Sequence, residues 1–280
     1  MNRREFIKIS SLGTVIAGSG IMSIPALAEA DSITKLTILH TNDWHSRIEA
    51  FPMDGSRYQG LGGFAERAEL VKKIREENTN VLLLDCGDVI QGTPYFNFFK
   101  GETEFKLMNY LNYDAFTLGN HDFDGGLEQL AKNIKDYPIN LLNSNYDLSN
   151  TPLGELNKQY QVFKFEHIKV GVFGVGIALE GLVPKKLYGE TLYNDPVSKA
   201  QMIANILKHD ENCDFVVCLS HLGFDYKDSK ISDKLLAANT KNIDLILGGH
   251  THTFLDEPFM VKNLDSKPVM INQAGWAGIL

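Results

Sequence analysis

Downstream of residue 31 the chain alternates short, almost wholly apolar runs with longer stretches whose apolar residues recur three or four apart. KLTILH (35–40), VLLLDC (81–86), AFTLG (115–119), INLLNSN (139–145), FVVCLS (215–220), IDLILGG (243–249) and PVMINQ (268–273) read as strands. Runs this apolar need cover on both faces. Residues 63–78, 96–112, 126–135, 196–209 and 229–239 carry the helical period. YQVFKF and KVGVFGV flank EHI and predict a hairpin around His167. The alternation predicts an α/β fold with a largely buried sheet. No Pro/Gly/Ser-rich linker divides the chain after residue 30, so 31–280 is expected to be one domain.

Residues 1–30 follow another pattern. MNRREFIK is basic, Ile9 to Leu27 is mildly apolar and rich in Ser and Gly, and ALAEA offers small-residue cleavage sites after Ala28 or Ala30. This reads as an export signal. Arg3-Arg4-x-Phe6-Ile7-Lys8 resembles the twin-arginine type, which exports folded proteins and implies a periplasmic or otherwise exported product. The bland alternative is an uncleaved membrane anchor. The full chain carries a net charge of −8. Residues 1–28 hold Arg3, Arg4, Lys8 and Glu5, so their removal leaves −10 and no membrane attachment. That charge argues against a nucleic-acid polymer as partner, because such binders neutralise phosphates. It leaves small anionic substrates open, since a bound cation reverses the sign locally. Three cysteines, Cys86, Cys213 and Cys218, show no framework spacing, and Cys86 and Cys218 read as buried small hydrophobes.

The unusual polar residues collect where strands end. Asp43-Trp44-His45, Gly87-Asp88, Gly119-Asn120-His121-Asp122-Phe123-Asp124, His221, and Gly248-Gly249-His250-Thr251-His252 each follow an apolar run. Open α/β sheets place ligand sites beyond the carboxyl ends of their strands, so these groups should converge. Taken singly each has a bland reading: a Gly-Asp is commonly a turn, and alternating His can face a loop. Five at equivalent points are hard to explain that way. Asp, Asn and neutral His are the ligands expected for two divalent ions such as Zn, Mn or Fe. Asp88, alone on its strand end, suits a carboxylate shared by both ions. Such a pair lowers the pKa of water and clamps an in-line displacement at phosphorus.

ILHTNDWHSRIE, GDVIQGTPYFN, GNHDFD, SHLG, GGHTHT and NQAGWAG, spread over 36–278, resemble the calcineurin-like metallophosphatases. More closely they resemble the catalytic domain of the 5′-nucleotidase / UDP-sugar hydrolase family. The resemblance implies the metallo-dependent phosphatase fold, a four-layer α-β-β-α sandwich of two mixed sheets with helices outside. It implies that Asp43, His45 and His252 bind a first metal, that Asp88 bridges, and that Asn120, His221 and His250 complete a second. His121 and Asp124 match the catalytic pair, His121 near the phosphoryl oxygens and Asp124 orienting it. Asp122 receives no role. Some relatives carry Gln or Asn where this chain has His252.

The function implied is an exported phosphoesterase acting on nucleotides or related phosphate esters. Relatives continue into a second domain with base-stacking aromatics, whereas this sequence reaches Leu280 just past NQAGWAG. A separate nucleotide-binding subunit is therefore an expected partner. Two other readings stand beside this one. One is a thiosulfohydrolase of a sulfur-oxidation system with the same metal centre; the other is a non-enzymatic subunit, against which the intact His121 and Asp124 weigh. Four further features read blandly. His40 is expected to hydrogen-bond structurally, and His167 and His209 to lie on the surface. Tyr95, Phe96, Phe98 and Phe99 are expected to pack into the core at a helix start. GVFGVG (171–176) lies inside a strand pattern and is no dinucleotide loop.

Overall fold

The computed structural model describes residues 34–279, and the expected export signal lies outside them. The strands, in chain order, are β1 (Thr37–Thr41), β2 (Val81–Asp85), β3 (Ala115–Phe116), β4 (Asn140–Leu142), β5 (Tyr146–Asp147), β6 (Asn157–Lys158), β7 (Tyr160–Phe165), β8 (Ile168–Gly176), β9 (Leu192–Tyr193), β10 (Phe215–His221), β11 (Leu245–Leu247), β12 (Phe259–Lys262) and β13 (Pro268–Asn272). One sheet runs β1-β2-β3-β4-β6 and is parallel throughout. A second runs β12-β13-β11-β10-β8-β7 and is mixed, with its two edge strands antiparallel to their neighbours, and β5 pairs with β9 in a small antiparallel ribbon.

The two-residue period of each strand divides its side chains between layers. On β2, Leu82 and Leu84 point into a core shared with Val217 and Leu219 of β10 and Val170 and Val172 of β8. Leu83 points the other way, into a second core with Val71, Leu130 and Ile134. Val216 and Cys218 of β10 face outward onto Ala200, Ile203 and Leu236. Helices Phe64–Glu77 and Leu127–Asp136 supply residues to the core outside the parallel sheet, and Pro196–Asn205 and Asp233–Ala238 to that outside the mixed one. Two sheets face to face with helices outside give the expected four layers, built from one parallel and one mixed sheet.

Several elements differ from their sequence reading. The helix expected over 96–112 is two, Pro94–Phe99 and Glu102–Tyr110, because Lys100 and Gly101 take φ of 51° and 92° and turn the chain between them. Pro94 occupies the first helical turn, where its missing N–H costs nothing. Phe96 is buried, but Phe98 and Phe99 are 79% and 49% exposed, so most of that aromatic run is not core. The strand expected over 115–119 pairs only at Ala115 and Phe116, and residues 117–119 already belong to a loop. The helix expected over 229–239 is confined to Asp233–Ala238. The hairpin at His167 forms, His167 and His209 are exposed, and all three cysteines are buried and free. His40 has Nε2 3.4 Å from Asn272 Nδ2, while its buried Nδ1 has no partner.

Candidate metal centre

The carboxyl ends of β1, β2, β3, β10 and β11 come together, and the polar groups predicted there meet in one place. The β1–β2 ladder does not stop with the strands. Cys86 N donates to Thr41 O, Asp43 N to Gly87 O, His45 N to Asp88 O and Ser46 N to Val89 O, so the two loops stay zipped together. Holding that register bends the backbone into the left-handed region at Asp43 (φ 52°), His45 (50°), Ser46 (53°) and Asp88 (57°). His250 (71°) and His252 (51°) do the same. Non-glycine residues there cost of order 1 kcal/mol each, and such strain persists where the surroundings over-determine it. Five of the seven expected ligands carry it. Glycine is required at Gly119, since a methyl group there would run into the Asp88 carboxylate.

Two clusters result. Asp43, His45 and His252 form one; Asp88, His221 and His250 form the other. Asp88 Oδ2 lies 3.0 Å from His221 Nε2 and 4.0 Å from His45 Nε2, so one carboxylate reaches both. Asp43 Oδ1 is 3.2 Å from His252 Nε2 and 3.8 Å from His45 Nε2. Asn120 is buried beside them with its Oδ1 unpartnered. His121 Nδ1 sits 2.8 Å from Asp124 Oδ2, and its ring packs edge-on to His45 at 5.3 Å. Six of the residues singled out in the sequence thus share the two clusters, and His121 lies against His45.

The donor atoms fit a pair of cations. His45 Nδ1 faces the Gln91 carbonyl at 3.1 Å and His221 Nδ1 the Cys86 carbonyl at 2.6 Å. A carbonyl only accepts, so both Nδ1 atoms carry hydrogen. In the neutral ring each Nε2 then offers a lone pair. His45 Nε2 points at His252 Nε2, 3.0 Å away, and His221 Nε2 at a carboxylate without hydrogen-bond alignment. Donor atoms gathered this closely suit a cation between them. The electrostatics agree. Burial lowers His45, and burial and His221 lower His250 to about 4, so both stay neutral. For His221, burial opposes charging, yet Asp88 and Asp43 raise it to about 10. A proton can thus take the cation's place. Asp88 is held well below the usual carboxylate range despite its burial, by His221, His45 and His121. His121 is raised against its burial by Asp88 and Asp124.

Sequence reasoning gave Asp122 no role, and the structure supplies one. Its buried carboxylate accepts from Asp88 N at 2.9 Å, Val89 N at 3.0 Å and Gly119 N at 2.8 Å. It ties the loop carrying Asp88 to the loop carrying Asn120 and His121. Asn42 was also missed: its Nδ2 donates to Asp43 Oδ2 at 2.7 Å and to the Gly275 carbonyl at 2.6 Å. Asp122 works wholly and Asn42 partly through backbone groups, which no spacing of side chains announces.

Residues 36–254 match the calcineurin-like phosphoesterase family. The chain belongs to that family. Among its relatives, the snake venom 5′-nucleotidase of Gloydius brevicauda is 36% identical over 89% of this chain and 44% of its own length. The 5′-nucleotidase precursor structure from Thermus thermophilus superposes with a TM-score of 0.76 at 32% identity, covering 87% of this chain and 49% of that one. The Haemophilus influenzae NAD nucleotidase gives 0.74 at 29%, covering 87% and 45%. The calcineurin-like phosphoesterase described here thus spans about half the length of the relatives it matches. Among the described residues no helix is long and apolar enough to cross a membrane.

Proposed function

We propose that this chain is an exported phosphoesterase that hydrolyses nucleotides or related phosphate esters with two divalent ions. The observation carrying the reading is Asp88, one carboxylate within 4.0 Å of histidines from both clusters. Asp43, His45 and His252 would hold one ion, Asn120, His221 and His250 the other, with Asp88 shared. Zn, Mn and Fe all suit this donor set. Such ions lower the pKa of water and neutralise charge on phosphoryl oxygens. The remaining work falls to the protein. His121, partly exposed and raised in pKa, can hold a proton toward the phosphate or the leaving oxygen. Asp124 fixes its Nδ1 and so aims Nε2 outward.

We also propose that nucleotide recognition is shared with a separate nucleotide-binding subunit and that the product is periplasmic. The similarity to nucleotidases supports a nucleotide substrate. The twin-arginine-like segment supports export.

The test measures metal content of the mature chain, then hydrolysis of AMP, a UDP-sugar and a cyclic nucleotide. Each is run alone and with the nucleotide-binding domain of a full-length nucleotidase. About two ions per chain and ester hydrolysis in either arm are expected; hydrolysis only in the mixture assigns recognition to the partner. Metal-free protein, or a protein that cleaves a cysteine thiosulfonate and no phosphate ester, overturns the reading.

A further inference from the structure

Histidines that bind metal are normally held from behind by a hydrogen bond from the second ring nitrogen. His45 and His221 follow that pattern through the Gln91 and Cys86 carbonyls. His252 does not: its Nδ1 has no hydrogen-bond partner among the described residues. Its side chain is 37% exposed and its backbone is left-handed, so neither burial nor a regular strand fixes the ring. What lies against it is Trp276. The indole and imidazole planes are parallel within 6°, with centroids 5.4 Å apart. That is offset stacking, the favourable arrangement for two aromatic faces.

Trp276 is itself braced. Phe51 meets it edge-on at 5.7 Å and Tyr58 at 6.1 Å, and its ring also reaches His45 at 6.4 Å. Ala277 N donates to Asp43 O at 2.8 Å and Gly275 N to Thr253 O at 2.9 Å, which lock its loop to both ligand loops. The indole therefore stands in fixed register with Asp43 and His252 together.

We propose that Trp276 is the positioning residue for His252, its stacked face doing what a carbonyl does for His45 and His221. The assignment rests on the reading of the two clusters as metal sites. It also accounts for a histidine being tolerable on so open a loop: without the indole the ring can rotate away from Asp43.

The test is Zn²⁺ binding by equilibrium competition with a chromophoric chelator, on the mature chain with Trp276→Ala, Trp276→Phe, His252→Ala and the Trp276→Ala/His252→Ala double variant. Trp276→Ala should weaken one of the two sites by roughly 10–100-fold, the range found when such supporting partners are removed, and leave the other unchanged. Trp276→Phe, which keeps a stacking face, should restore most of that affinity. Once His252 is already alanine, losing Trp276 should cost nothing further. Zn²⁺ should also perturb the emission that disappears in Trp276→Phe. Two wild-type-strength sites in Trp276→Ala, or an equal loss with and without His252, overturn the assignment while leaving the metal reading intact. A wild-type chain that binds no Zn²⁺ overturns both.

Discussion

The two clusters differ in how they are held. Asp88 and His221 are sealed between the sheets: His221 is fully buried, is the last residue of β10, and is anchored to the Cys86 carbonyl. Asp43, His45 and His252 ride on loops, and the His252 side chain is 37% exposed. The sealed half is part of the fold's interior, so its residues answer for stability as well as chemistry. In the open half Asp43 is buried as well, but His252 stands half-exposed on a loop held by aromatic packing, so it can change with little effect on folding. A substrate of the proposed reaction would enter from the open side, where His121 also faces solvent.

The largest effect should come from the residue common to both halves. Asp88→Asn keeps the size and one acceptor but loses the charge two cations would share. Metal content should fall below one ion per chain, with hydrolysis down on the order of 10³-fold. An Asp88→Asn protein with full metal content would show that the clusters are independent. Next comes the contrast itself. His221→Ala opens a cavity at a fully buried position and strands the Asp88 carboxylate, at a cost of about 3–5 kcal/mol. His252→Ala should leave the unfolding midpoint in chelator within about 0.5 kcal/mol of wild type, as for a surface change. Equal destabilisation by the two would erase the distinction between the sealed and open halves.

The same division explains what could be read from the chain. Side chains proposed to hold ions announce themselves: Asp43, His45, Asp88, Asn120, His221, His250 and His252 follow apolar runs, and a polar residue at a strand end is visible in any window. Hence the site was legible in outline. The buried strands were legible because Leu82–Leu84 and Val216–Leu219 are apolar on both faces. What remained hidden acts through the backbone or through the third dimension. The break at Lys100 needs only two left-handed residues inside an otherwise helical pattern. Phe98 and Phe99 look like core by type, yet the early turn sends them into solvent. Asp122 and Trp276 gain their roles from loops far away in sequence.

Asp122 gives the next test. Three backbone N–H groups converge on its carboxylate, and leaving a buried donor without a partner costs about 1–3 kcal/mol. Asp122→Ala should therefore destabilise the metal-free chain by a few such increments. It should also loosen Asp88, whose own N–H is among the three. Thermal unfolding in chelator and Zn²⁺ affinity should fall together. Lowered stability with unchanged affinity would mean that the sealed half does not depend on this brace.

The smallest effect concerns a carboxylate beneath the same loops. Burial pushes Asp85 up to about 8, against hydrogen bonds from Thr41 Oγ1 at 2.6 Å and Gly87 N at 2.9 Å. In the unfolded chain an aspartate titrates near about 4. Between these values the folded state holds the proton and the unfolded state does not. The stability from this group is thus complete below about pH 4 and is lost as pH rises toward about 8. The amide introduced by Asp85→Asn would imitate the protonated acid, donating to Thr41 and accepting from Gly87. Asp85→Asn should flatten the fall in melting temperature between pH 5 and pH 8 in chelator, each kcal/mol being worth roughly 2–4 °C in a domain of this size. Chelator matters, because ions bound above would add their own pH dependence. Parallel melting curves for wild type and Asp85→Asn would show that Asp85 is ionised in the fold, its charge balanced by the nearby Arg67 guanidinium. The floor beneath the sealed half would then carry a charge and not a neutral hydrogen-bond network.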